Sequence, residues 1–292
     1  MPDEDHRLTL LLVLADDELI LGHRHSEWTG WAPHIEEDLA FSSIAQDEMA
    51  HARLLYRLAH ESGLAERDED AMALGREPHE YVNAWLCERP NRDWGFTLAR
   101  QFLYDTADAV RLEALAESSW QGLAEVVRVM QLEEKYHLDH ARQWFSKLAD
   151  GPAEGRQRFS DGLASAIGEA MALFEPLPHE DGLVAEGVLP RANEQLLAEW
   201  LGRLGEELES ASLDFVLTRH GATAEMVPTS SGDMPAPSED LTVPGLSRRD
   251  DRWVHEGGFA GAGGRRGRHS EDFVPLWEEM TGLYRAHPGA RW

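Results

Sequence analysis

Along the first two-thirds of the chain, apolar residues recur three and four positions apart, and strand-like alternation is nearly absent. The pattern predicts four long helices, at about His6–Trp28, Ile35–Glu61, Arg92–Glu117 and Leu123–Leu148. Gly30, Trp31 and Pro33 end the first, and Gly63 stops the second. Residues 64–90 are charged and mixed, with a short helix near Glu80–Cys87. Ser118-Ser119-Trp120 breaks the third from the fourth, and Asp150-Gly151-Pro152 ends the fourth. Each piece reaches about 35–40 Å at 1.5 Å per residue, a length suited to a large bundle.

A fifth helix over about Ala153–Phe174 and a sixth over about Pro190–His220 flank a loop, Glu175–Gly187, rich in Pro, Gly and acid. Pro228, Pro235, Pro237 and Pro244, with Gly257-Gly258 and Gly263-Gly264, then predict an irregular arm over residues 221–270. A terminal helix over 271–286 presents Phe273, Leu276, Trp277, Met280 and Leu283 at helical spacing and is expected to dock back on the bundle. The expected architecture is all-α: a single domain over 1–292. It comprises a four-helix core at about 6–150, extra helices at 153–220, the arm and the terminal helix.

Composition narrows the function. With 27 Lys+Arg against 54 Asp+Glu the net charge is −27. That argues against nucleic acid and against an anionic membrane, since both require a basic face. Ten Trp and a 42% hydrophobic fraction argue for a packed core. Only Lys135 and Lys147 are lysines. An acidic, Lys-poor, Arg-rich surface is what a halophile or a GC-rich genome produces. The single cysteine, Cys87, is expected as a small buried hydrophobe. The N-terminus is acidic where a signal peptide is basic, and the apolar run Leu8–Leu14 falls short of the roughly 20 residues a membrane span needs. A soluble cytoplasmic protein is expected.

Two helices carry Glu-x-x-His: Glu48–His51 and Glu134–His137. Residues three apart share a helix face. On the second helix the line Phe41, Ile44, Glu48, His51, Leu55, Leu58 is otherwise apolar. On the fourth, Val127, Met130, Glu134, His137, Ala141, Trp144 repeats the arrangement. Burying these groups unpartnered is costly, and a shared cation removes the difficulty. Two such motifs, with one carboxylate from each of two further helices, form the ligand set of carboxylate-bridged di-iron and di-manganese bundles. Nearly equal hairpin spacing, 30 residues back from Glu48 and 29 back from Glu134, nominates Glu18 on the first helix and Asp105 on the third, with Asp17 and Asp108 as alternatives. Oxygen and nitrogen donors without thiolate favour iron or manganese over structural zinc. His23, His25 and His34 read as polar residues at a bundle end. Glu36, Glu37 and Asp38 suit a helix N-terminus. Glu133 reads as exposed or salt-bridged, and His140 as lying off the metal line. Arg265, Arg266 and Arg268 form a local basic patch, read as a solvated loop or as a contact for a phosphate-bearing ligand such as coenzyme A or for an acidic partner surface.

Several stretches resemble the C-type subunit of the multicomponent 1,2-phenylacetyl-CoA epoxidase, a ferritin-like family of aerobic phenylacetate degradation. They are Ala15–Gly22 with Ser26-Glu27-Trp28, Glu36–Ala40, Ala99–Asp105, Tyr136-His137-Leu138, and the tail from His269-Ser270-Glu271 through Ala286–Gly289. The resemblance covers nearly the whole chain, and the tail is its most specific part.

The resemblance implies a ferritin-like bundle acting within an oxygenase that epoxidises the ring of phenylacetyl-CoA. An A-type subunit normally holds the di-iron site there, and an iron–sulfur flavoprotein reductase supplies electrons. The C-type subunit normally serves as scaffold and lacks part of the ligand set. This chain departs by keeping both Glu-x-x-His motifs. It therefore either binds metal or retains an ancestral site. In the carried-over assignment Glu18, Glu48 and His51 bind one iron. Asp105, Glu134 and His137 bind the other, with Glu48 and Glu134 as bridging candidates. The alternatives are an autonomous di-iron oxygenase on an aromatic acyl-CoA, and a ferritin-like metal-storage or peroxide-scavenging protein.

Overall fold

The computed structural model describes residues 6–210, 215–220, 223–228, 243–244, 246–249, 252–255, 262–288 and 290. Four long helices dominate: α1 (His6–Ser26), α2 (Ile35–Glu61), α5 (Trp94–Leu115) and α6 (Gln121–Ala149). Between α2 and α5 lie two short helices, α3 (Glu69–Leu74) and α4 (Trp85–Glu88), with a 3-10 turn at Pro78–Glu80. The hairpins α1–α2 and α5–α6 form the bundle, and α2 packs on α6. Local chemistry sets the helix starts. Asp93 caps α5 by accepting from the Phe96 N–H at 2.9 Å. Glu36, Glu37 and Asp38 open α2, where negative charge complements the helix dipole.

Beyond the bundle, α7 (Ala153–Ala170) backs α5 and runs into a 3-10 turn at Met171–Phe174. Gly162 allows that close approach, since a Cβ there would sit 2.9 Å from the Ala99 Cβ. The expected loop after it contains a short helix, α8 (Glu180–Ala185). The core is continuous and aromatic: Phe102 stacks on Phe145 at 4.5 Å, and Phe145 meets Phe159 edge-on.

The expected sixth helix does not continue to His220. α9 (Asn193–Ser210) ends ten residues earlier, and β1 (Phe215–His220) pairs antiparallel with β2 (Thr223–Pro228). The β-branched Val216, Thr218, Thr223 and Val227 suit extended backbone better than a helix. β3 (Val243–Pro244) adds to β2, and β4 (Leu246–Arg249) pairs with β5 (Arg252–His255). These short strands modify the expected irregular arm without altering the all-α class of the bundle. The Pro235, Pro237 and Gly257-Gly258 expectations lie outside the described residues.

The terminal helix, α10 (Phe273–Ala286), docks through Phe273, Leu276, Trp277 and Met280, all buried. Leu283, expected on that face, is exposed. The segment before α10 lies tightly on the bundle. Gly267 adopts φ +68, and a Cβ there would meet the His79 carbonyl at 2.1 Å, so only glycine fits. Among the described residues no helix is long and apolar enough to cross a membrane.

Candidate metal centre

Glu18 on α1, Glu48 and His51 on α2, Asp105 on α5, and Glu134 and His137 on α6 are all buried. One ligand atom each from Glu18, His51 and Glu134 lie within 4.8 Å of one another. His51 Nδ1 is 3.2 Å from Glu18 Oε2 and 3.2 Å from Glu134 Oε1. The same Glu134 oxygen is 3.1 Å from His137 Nδ1, so this carboxylate spans the two half-sites. The two imidazole centroids are 6.2 Å apart.

The far nitrogen of each histidine is also held, and the pairing is crossed. His51 Nε2 is 2.8 Å from Glu133 Oε2, and His137 Nε2 is 3.2 Å from Asp47 Oδ2. Each carboxylate immediately precedes the glutamate of the opposite motif. Of the two expectations for Glu133, exposed or salt-bridged, the salt bridge is the one that matters here. Asp47 escapes the sequence reading, although an acid directly before each Glu-x-x-His is a visible signal. Carboxylates behind metal-facing imidazoles fix the tautomer and the ring orientation.

Two further side chains hold the glutamates. The Tyr104 hydroxyl donates to Glu18 Oε1 at 2.7 Å. His25 Nδ1 lies 2.9 Å from Glu48 Oε1 and is wholly buried. The expectation of His25 as a polar bundle-end residue is therefore corrected. It sits seven residues beyond Glu18, two turns along the same inward face. His34 is exposed as expected for a bundle end. His140 lies off the line and faces Glu37 at 2.9 Å.

The alternative carboxylates, Asp17 on α1 and Asp108 on α5, are both engaged by arginines. Asp17 turns away from the imidazoles and accepts from Arg265 at 2.7 and 2.8 Å and from Arg111 at 2.7 Å. Asp108 also accepts from Arg111, at 2.7 Å. The expected solvated patch at Arg265 is thus overturned: the residue is 1% exposed, and Arg266 pairs with Glu175. Cys87 is buried, and burial pushes its thiol well up.

The electrostatics follow from this crowding. Burial, reinforced by Glu18, raises Glu48 well above the usual carboxylate range. Burial and then Glu134 do the same for Asp105. Burial opposes the imidazolium of His51, but hydrogen bonds to Glu134 and Glu18 prevail and raise it to about 11. His137 rises to about 12, where Glu134 and Asp47 outweigh burial. Glu134 is held low because the two imidazoles offset its burial.

The donor set suits divalent metal ions, with Glu18, His51 and Glu134 converging on one point, while Glu48, Asp105 and His137 lie outside that converging group. Four carboxylates carry −4, which two such ions balance with both imidazoles neutral. The buried Asp105 Oδ2 has no hydrogen-bond partner among the described residues and is free to serve as a ligand, as is the Asp108 Oδ2. Burial and the neighbouring carboxylates favour protons on Glu48 and Asp105, and the same carboxylates favour them on His51 and His137.

Residues 1–221 match the family model described as phenylacetic acid catabolic protein. The chain is also 28% identical over 283 residues to the C-type subunit of the 1,2-phenylacetyl-CoA epoxidase of Escherichia coli (strain K12). That alignment covers 96% of this chain and 97% of the relative. The helical bundle, its buried carboxylate–histidine cluster and this match along nearly all of its length agree, and the chain belongs to the phenylacetic acid catabolic protein family.

Proposed function

We propose that this chain is the C-type subunit of a ring-epoxidising phenylacetyl-CoA oxygenase, pairs with an A-type subunit, and holds two iron ions through Glu18, Glu48, His51, Asp105, Glu134 and His137. The near full-length match to the C-type subunit of an epoxidase supports the subunit role. Glu134, within 3.2 Å of both histidines, is the observation that carries the metal reading.

When bound, the iron pair supplies the redox chemistry of dioxygen activation. The chain's own residues do the rest. Glu133 and Asp47 hold the imidazoles so that Nδ1 faces inward. Tyr104 and His25 orient the Glu18 and Glu48 carboxylates. Ala15 and Leu21, three residues either side of Glu18, and Val127 and Met130, two turns and one turn before Glu134, are buried and keep these helix faces apolar. An iron–sulfur flavoprotein reductase would supply electrons to the complex.

The outer face above the cluster supports heteromeric pairing. Ile35, Leu39 and Gln46 of α2 and Val129, Leu132 and Tyr136 of α6 are exposed and uncharged. In a chain of net charge −27, two copies would repel, so a less acidic partner suits this face. An autonomous oxygenase would not need such a face. A compact storage bundle would not need the interior tail contact at Arg265.

Co-expression with an A-type subunit and the reductase tests the reading. Stable co-purification and phenylacetyl-CoA epoxidation are expected, with pairing lost in Leu132→Glu/Tyr136→Glu. Glu48→Ala and His137→Ala are expected to lower turnover while leaving pairing intact. Absence of co-purification would sink the subunit role, and unchanged turnover in both alanine variants would make the ligands vestigial.

A further inference from the structure

The tail delivers a buried cation to the residue beside a candidate ligand. We propose that Arg265 is a positioning residue for the metal centre, acting through Asp17, Arg111 and Tyr104 on the Glu18 carboxylate. This rests on the metal reading above and names a control on it from outside the bundle.

Every step is a hydrogen bond between buried side chains. Arg265 Nη1 and Nη2 donate to Asp17 Oδ1 and Oδ2 at 2.7 and 2.8 Å. Arg111 Nη1 donates to the same Asp17 Oδ2 at 2.7 Å. Arg111 Nη2 reaches the Tyr104 hydroxyl at 3.3 Å, and that hydroxyl donates to Glu18 Oε1 at 2.7 Å. Arg265 is itself seated by the Val82 and Leu173 carbonyls, at 3.1 and 3.0 Å. The backbone around it is fixed: the Gly263 N–H donates to Glu175 Oε2, and a Cβ at Gly264 would meet the Asn83 carbonyl at 2.4 Å.

Charge explains why the relay transmits. Arg265 and Arg111 share Asp17 between them, and Arg111 also holds Asp108. Without Arg265, Arg111 alone must serve both carboxylates. Its longest bond, to Tyr104, is the first to yield. Tyr104 then no longer has a fixed direction in which to hold Glu18. Outer groups of this kind change metal affinity by about 10–100-fold when removed.

The test uses Co(II) titration of the full-length chain, reading affinity and the visible absorption of the bound ion. Arg265→Ala is expected to weaken Co(II) binding about tenfold and to shift the spectrum. Tyr104→Phe cuts the relay at its other end without touching the tail and is expected to shift it likewise. The double variant is expected to lose no more than either single one. Phe273→Ala loosens the tail outside the relay and is expected to lower the melting temperature with the spectrum unchanged. Additive losses, or a wild-type spectrum in Arg265→Ala, overturn the relay alone. If the wild-type chain binds no Co(II), the metal reading falls and the relay with it.

Discussion

Asp17 and Glu18 are neighbours on α1 and both are buried, yet they solve the problem of buried charge in opposite ways. Asp17 is met by two guanidiniums and the Ala84 N–H, a set supplied wholly by the protein. Burial alone would raise its pKa, but Arg265 and Arg111 outweigh it and hold the carboxyl below its ordinary value. Glu18 belongs to a cluster of four carboxylates and two imidazoles, where protonated imidazoles supply at most half the balancing charge. The first arrangement is an anchor that closes the tail onto the bundle. The second is left to protons or to added cations. A buried acid therefore marks a metal site only when the protein has not already supplied its counter-charge.

Removing each acid should separate the two roles. Asp17→Asn strands Arg111 and Arg265, and should cost about 3–5 kcal/mol in denaturant unfolding. Its metal stoichiometry should stay that of wild type. Glu134→Ala should bring bound metal below one equivalent. If Asp17→Asn abolishes metal and Glu134→Ala does not, the comparison is drawn the wrong way round.

The pH response should differ as well. His51 and His137 have raised pKa values in the folded chain, so their stabilisation of the metal-free form is full below about pH 6.5. It declines as pH rises toward 11–12. Metal binding has the opposite sign, because protons on His51, His137, Glu48 and Asp105 must leave. Loading should therefore tighten between pH 6 and 8 and release protons, measurable with an indicator dye in weak buffer. The Asp17 anchor works the other way again: its depressed pKa adds stability above about pH 4, lost as pH falls through the folded value. A smaller effect is expected at the outer carboxylates. Asp47→Asn and Glu133→Gln should each weaken binding about tenfold in competition titrations, with stoichiometry unchanged.

Much of the bundle is legible in the sequence because helical periodicity is local. The stripes Phe41–Leu58 and Val127–Trp144 name two core faces, and hairpin spacing leads to Glu18 and Asp105. What escapes such reading depends on long-range placement. Arg265 meets Asp17 across 248 positions, and no local pattern distinguishes it from the exposed Arg268 of the same basic run. His25 escapes because α1 is apolar on several faces, so periodicity does not define its inward direction. The end of α9 is misplaced because Phe215–His220 is a short apolar run followed by polar residues, which periodicity does not tell from a helical run.

The central claim is that this chain, and not its partner alone, holds a pair of metal ions. Metal analysis of the isolated chain after anaerobic ferrous loading and desalting tests it most directly. The account predicts two irons per chain, lost together in Glu134→Ala because that carboxylate faces both histidines. An iron-free chain after loading would contradict it and leave a proton-balanced scaffold.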